Sequence, residues 1–82
     1  MKKNSNTASR IIEGRAYVIL PDQSRLFQLN EVGTFIWDEI SRERTVQELV
    51  KAVCDEFEVD PETAGKDVVE FLGVLAEKKL VE

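Results

Sequence analysis

Eighty-two residues, 43% apolar and 33% charged, suit one small globular domain that buries roughly 60–65% of its unfolded surface. No apolar run reaches the ~18–20 residues of a membrane span. Residues 1–10 lack the apolar stretch of a signal peptide, and the single cysteine, Cys54, excludes an internal disulfide and fits a reducing, cytoplasmic setting. Net charge is +3 over residues 1–30 and −8 over 31–82, and an acidic C-terminal portion repels phosphate backbones, which argues against a nucleic-acid partner on that side.

In chain order, residues 1–8 have nothing to bury and are expected to form a disordered tail ahead of a domain over 9–82. Ile11-Ile12 opens a short apolar run that ends at Glu13-Gly14. Ala16 to Leu20 is β-branched and aromatic, a strong strand signal. Pro21-Asp22-Gln23-Ser24 carries turn chemistry, and Arg25 to Leu29 makes a third extended segment in which Phe27 and Leu29 share a face. These segments predict a three-stranded antiparallel meander.

The period then changes from two to 3.6. Asn30 is placed to cap a helix that runs to about Arg42, with Val32, Phe35, Ile36 and Ile40 on one stripe. Thr45-Val46-Gln47-Glu48 has the T-x-x-E form of a capping box, followed by the stripe Val46, Leu49, Val50, Val53 and Phe57. Asp60-Pro61-Glu62 opens a third helix with cap, proline and early acid. Its apolar set is Ala64, Val68, Phe71, Leu72 and Leu75, and its end falls near Lys78-Lys79, with Leu80-Val81 packing back on the core. Three strands followed by three helices give an α+β fold.

The third helix carries a second flank of small residues, Gly65, Val69, Gly73 and Ala76. Two glycines inside a helix cost roughly 1 kcal/mol each relative to alanine, so the flank implies either close packing or a shallow groove. An open edge on the third strand, facing that flank, would form a slot for an extended peptide that adds as a further strand. The same open edge is a route to a strand-paired homodimer.

Catalytic chemistry is sparse. The chain has no histidine, which removes the commonest general base and metal ligand. Cys54 lies among Lys51, Asp55 and Glu56 at the edge of an apolar stripe and reads as a core residue. The acid pairs Asp38-Glu39 and Asp55-Glu56 fall on solvated helix faces. No phosphate-binding, dinucleotide, C-x-x-C or EF-hand pattern occurs. A non-enzyme without cofactor or metal is expected. Trp37 is more readily a core residue than a partner hot spot, and Tyr17 and Phe27 are expected to pair across adjacent strands.

The succession Val18-Ile19-Leu20-Pro21-Asp22, Arg25 to Asn30, Gly33, Ile36-Trp37 and Thr45 to Val50 resembles the PqqD family, the RiPP precursor-peptide recognition elements. So does the close from Asp60-Pro61-Glu62 through Val68, Phe71-Leu72, Leu75 and Leu80-Val81. Its most specific piece is Leu-Asn-x-x-Gly-x-x-Ile-Trp at 29–37. The resemblance implies a winged-helix-like fold that binds the leader of a ribosomally made precursor peptide between the third strand and third helix. It also implies a role as a peptide chaperone that presents the leader to a modifying enzyme, often a radical SAM protein. Carried onto this chain, the cleft comprises Arg25, Leu26, Phe27 and Gln28 facing Gly65, Val69, Leu72, Gly73 and Ala76. The proline-glutamate pair expected of pyrroloquinoline quinone (PQQ) proteins is Pro21-Asp22 here, which leaves PQQ or another RiPP pathway open.

Two other classes share features with this chain. A winged-helix DNA-binding domain has the same topology, but its recognition helix would start Asp60-Pro61-Glu62 and carry Asp67 and Glu70, the wrong sign for phosphate contacts. A carrier protein matches in size and acidity but lacks a serine between an aspartate and a leucine at a helix start.

Overall fold

The computed structural model describes residues 2–21 and 24–82. Strands β1 (Ala8–Ile12), β2 (Arg15–Leu20) and β3 (Arg25–Gln28) precede helices α1 (Glu31–Glu39), α2 (Val46–Phe57) and α3 (Pro61–Glu77). The strands form one antiparallel sheet in the order β1-β2-β3, so the expected α+β, winged-helix-like order of three strands and three helices is the observed one. Glu13 (φ 53°) and Gly14 (φ 79°) make the β1–β2 connection, a two-residue turn with both residues left-handed, as strand twist favours. Asp22 and Gln23 of the expected second turn lie outside the described residues; across them the Ser24 N–H donates to the Pro21 carbonyl at 3.0 Å.

Helix starts follow local chemistry. Asn30 Oδ1 accepts from the Gly33 N–H at 2.7 Å, and Asp60 Oδ1 accepts from the Thr63 N–H at 2.8 Å. At α2 the capping box is complete: the Glu48 N–H donates to Thr45 Oγ1 at 3.1 Å and the Thr45 N–H donates to Glu48 Oε1 at 2.8 Å. Helix ends are harder to foresee. The first helix stops at Glu39 rather than near Arg42, because Arg44 folds back, its Nε donating to the Glu39 carbonyl at 3.1 Å and its Nη2 pairing with the Glu39 carboxylate at 2.8 Å.

The capping carboxylates make the fold acid-sensitive. The backbone N–H of Thr45 holds Glu48 below the usual carboxylate range, and that of Thr63 does the same for Asp60. A depressed folded value means stability that is fully present above the unfolded pKa of about 4 and is lost as pH falls through the folded value. Thermal unfolding midpoints should therefore drop below about pH 4, and the drop should shrink in a Glu48→Gln/Asp60→Asn chain. Identical acid profiles for the two chains would show that these caps carry no such linkage.

The core lies between the sheet's inner face and the helices, with Ala16, Val18 and Leu20 meeting Ile36, Trp37, Ile40, Leu49, Val53, Ala64, Val68, Leu72, Leu75 and Leu80. Trp37 is 2% exposed, and its indole N–H donates to Ser9 Oγ at 3.1 Å. Thr34, also buried, locks α1 to the sheet: its Oγ1 accepts the Ala16 N–H at 2.8 Å. Two expectations fail here. Val46 stays exposed at the first turn of α2 rather than joining the core. Tyr17 and Phe27 do not pair, because the register sets Tyr17 opposite Gln28 and Val18 opposite Phe27, which sends the two aromatic rings to opposite faces.

Residues 2–7, which have little to bury, run beside the C-terminus. Lys3 bridges Val81, the Asn4 N–H donates to the Leu80 carbonyl at 2.9 Å and the Glu82 N–H donates to the Lys2 carbonyl at 2.8 Å. Among the described residues no helix is long and apolar enough to cross a membrane.

Candidate functional site

Among the described residues, β3 pairs with β2 on one side and with no other strand on the other. The Leu29 N–H donates to the Ala16 carbonyl at 2.9 Å. Alternation along an antiparallel ladder then turns the backbone groups of Phe27 and Arg25 toward β2. Leu26 and Gln28 are left with their N–H and C=O groups at the open edge, two residues that an incoming strand is able to bond.

Beside that edge runs a groove in two connected parts. One, about 360 Å³, is lined by Leu26 to Asn30 together with Phe71, Val74, Leu75, Lys78 and Leu80. The other, about 330 Å³, is lined by Asn30, Val32, Gly33, Asp67, Glu70, Phe71 and Val74. Asn30, Phe71 and Val74 border both, so the C-terminal turns of α3 lie along β3 and its middle lies along the start of α1. The side chains of Phe27 and Phe71 are half-buried and Val74 is exposed, an apolar lining open to solvent.

The Phe71 ring is positioned by a glycine. A Cβ on Gly33 would come within 2.9 Å of the Phe71 ring, closer than such atoms pack, so any larger residue forces the ring to shift. Gly33 also gives its N–H to the Asn30 cap, so one residue of the 29–37 passage serves both the helix start and the groove wall. The charges at the two ends differ in sign. Arg25 and Lys78 stand 5.2 and 5.3 Å from the Phe27 ring centroid, while Asp67 and Glu70 border the far part.

Of the residues expected to form the cleft, Leu26, Phe27 and Gln28 line the groove and Arg25 packs on its Phe27 wall. The structure places the α3 half of that expectation away from β3. Leu72 is buried in the core, and Gly65, Val69, Gly73 and Ala76 lie roughly 120–200° round the helix from Phe71, away from β3. Nothing stands within 4 Å of a Cβ built on Gly65 or Gly73, so the flank is neither closely packed nor part of this groove. It is open surface, with Val69 60% exposed. The helix is pinned by its buried stripe, and β3 meets the Phe71–Val74–Lys78 side of that stripe. The sequence signal for this side was the surplus apolar Val74, one turn from Phe71 and outside the core set.

Comparison with known proteins bears on this geometry. Residues 16–81 match the sequence model of the family described as Coenzyme PQQ synthesis protein D (PqqD). Over 100% of its length the chain superposes on TbiB1, solved in complex with the TbiA(beta) leader peptide, at a TM-score of 0.92 and 32% identity, covering 95% of that chain. A lasso peptide synthetase B1 complexed with its leader peptide superposes at a TM-score of 0.85 over 96% of this chain and 93% of its own, at 14% identity, a likeness of fold. No curated protein matches.

Proposed function

The chain belongs to the PqqD family, and from that premise we propose that it is a non-catalytic adaptor that captures the leader of a ribosomally synthesised precursor peptide. The leader adds as a fourth strand on the open edge of β3, bonding Leu26 and Gln28, and sets alternate side chains into the groove against Phe27, Phe71 and Val74. The adaptor then presents the held peptide to a modifying enzyme in the cytoplasm, for which the family resemblance points to a radical SAM protein, in PQQ or another RiPP pathway. The observation that carries the proposal is the β3 edge, unpaired among the described residues, beside an apolar groove. Its support is the 32% identity to TbiB1, a protein solved with a leader peptide.

The test is an NMR titration of the labelled chain with the leader of the short precursor encoded nearest its gene. Backbone amide shifts are expected at 26–30 and 70–78, with micromolar-range affinity, and little change at 65, 69 and 73. Shifts centred on the Gly65–Val69–Gly73 flank instead would overturn the groove assignment.

A further inference from the structure

We propose that the groove is charge-polarised and reads the direction of its peptide, taking an extended segment with a basic residue ahead of its apolar anchor and an acidic residue after it. The inference rests on the peptide-groove function above and goes on to name the chemistry of the peptide.

At one end Arg25 and Lys78 both stand over the Phe27 ring, at 5.2 and 5.3 Å. Lys78 lines the pocket together with Leu26, Phe27 and Val74, and the Phe27 ring it shares with Arg25 ties that second cation to the same end. At the other end Asp67 and Glu70 border the pocket beside Asn30 and Gly33. Between them Phe71 and Val74 give an apolar stretch common to both parts. A carboxylate is attracted to the first end and repelled at the second, and an ammonium or guanidinium behaves oppositely, so a peptide laid in reverse meets like charges at both ends.

Direction follows from the sheet. Every pairing in it is antiparallel, and a fourth strand that continues the pattern runs opposite to β3. Its N-terminal part then lies by Asn30, Asp67 and Glu70, and its C-terminal part by Arg25 and Lys78. Spacing follows from the helix. From Asp67 or Glu70 to Lys78 is about 12–16 Å along α3 at 1.5 Å per residue, which an extended peptide covers in about four or five residues. The groove therefore selects a basic residue, an apolar anchor, and an acidic residue about four or five positions after the basic one.

Selection of a random dodecapeptide library displayed on phage against the full chain tests this whatever the sequence of the natural leader. Enriched peptides are expected to share the base–apolar–acid order at that spacing. Exchanging the two charges in one of them should weaken binding about tenfold at low salt, the sum of several surface charge contacts, and less at high salt. Selection against Asp67→Lys/Glu70→Lys should replace the leading base with an acid, and Lys78→Glu should do the reverse at the trailing position. Enriched peptides without a charge order, or with the acid first, overturn the inference while leaving peptide capture standing. Failure of the folded chain to enrich any peptide overturns the groove function itself, and the polarity with it.

Discussion

Val74→Asp should abolish leader binding while leaving the chain folded. Val74 borders both parts of the groove and is 42% exposed, so its side chain contributes little to the core, and valine and aspartate have nearly equal helix propensity. A bound strand would cover that position and trap the carboxylate against apolar side chains without a partner, at a cost of about 3 kcal/mol or more. That is about a hundredfold in affinity or greater. Val69→Asp provides the contrast on the same helix. Val69 lies roughly 160° round from Phe71, on open surface, and its replacement should change affinity less than about twofold. Fluorescence anisotropy with a labelled leader, beside thermal melts of both variants, separates the cases. If Val69→Asp loses binding and Val74→Asp keeps it, the peptide lies on the small-residue flank and not beside β3.

The contrast between those two valines also marks how far the sequence was legible. Features set within one helical turn read directly: the caps at Asn30, Thr45 and Asp60 all bond as their spacing predicts. Strand order and helix order were equally plain, since the switch in hydrophobic period falls at a single junction, Leu29-Asn30. Contacts between distant segments were not. The hydroxyl of Thr34 takes the Ala16 N–H from eighteen positions away, and nothing local distinguishes it from any helical threonine.

Two misplacements share one cause. Periodicity says which residues are apolar and which share a face, but it does not say which neighbour covers each side of a helix or which face a strand turns inward. Gly65, Val69, Gly73 and Ala76 form a genuine stripe, yet β3 approaches α3 from the other side of the buried stripe. Likewise a register offset of one residue decides whether Tyr17 and Phe27 meet, because each step along a strand reverses the side-chain direction. The open edge itself, along Arg25 to Gln28, was legible because an edge strand is a property of strand count and order.

Trp37→Ala is the substitution expected to cost the most stability. The residue is 2% exposed, lies in the same core as Ile36, Ile40 and Leu80, and carries Lys3 over its ring at 4.7 Å. Emptying a buried tryptophan site costs about 3–5 kcal/mol. A chain of 82 residues has a total stability of roughly 4–12 kcal/mol at the usual 0.05–0.15 kcal/mol per residue. The variant should therefore melt at least about 15 °C lower, or fail to fold at ordinary temperature. Ser9→Ala offers a graded companion: it removes only the acceptor of the indole N–H, and should cost about 1 kcal/mol. The ordering matters because tryptophan is also the residue most favoured at partner hot spots. A Trp37→Ala chain that melts near the parent temperature but no longer engages a modifying enzyme would move the residue from the core to the interface. A large loss of stability, with Ser9→Ala intermediate, places it as the brace that joins β1 to α1.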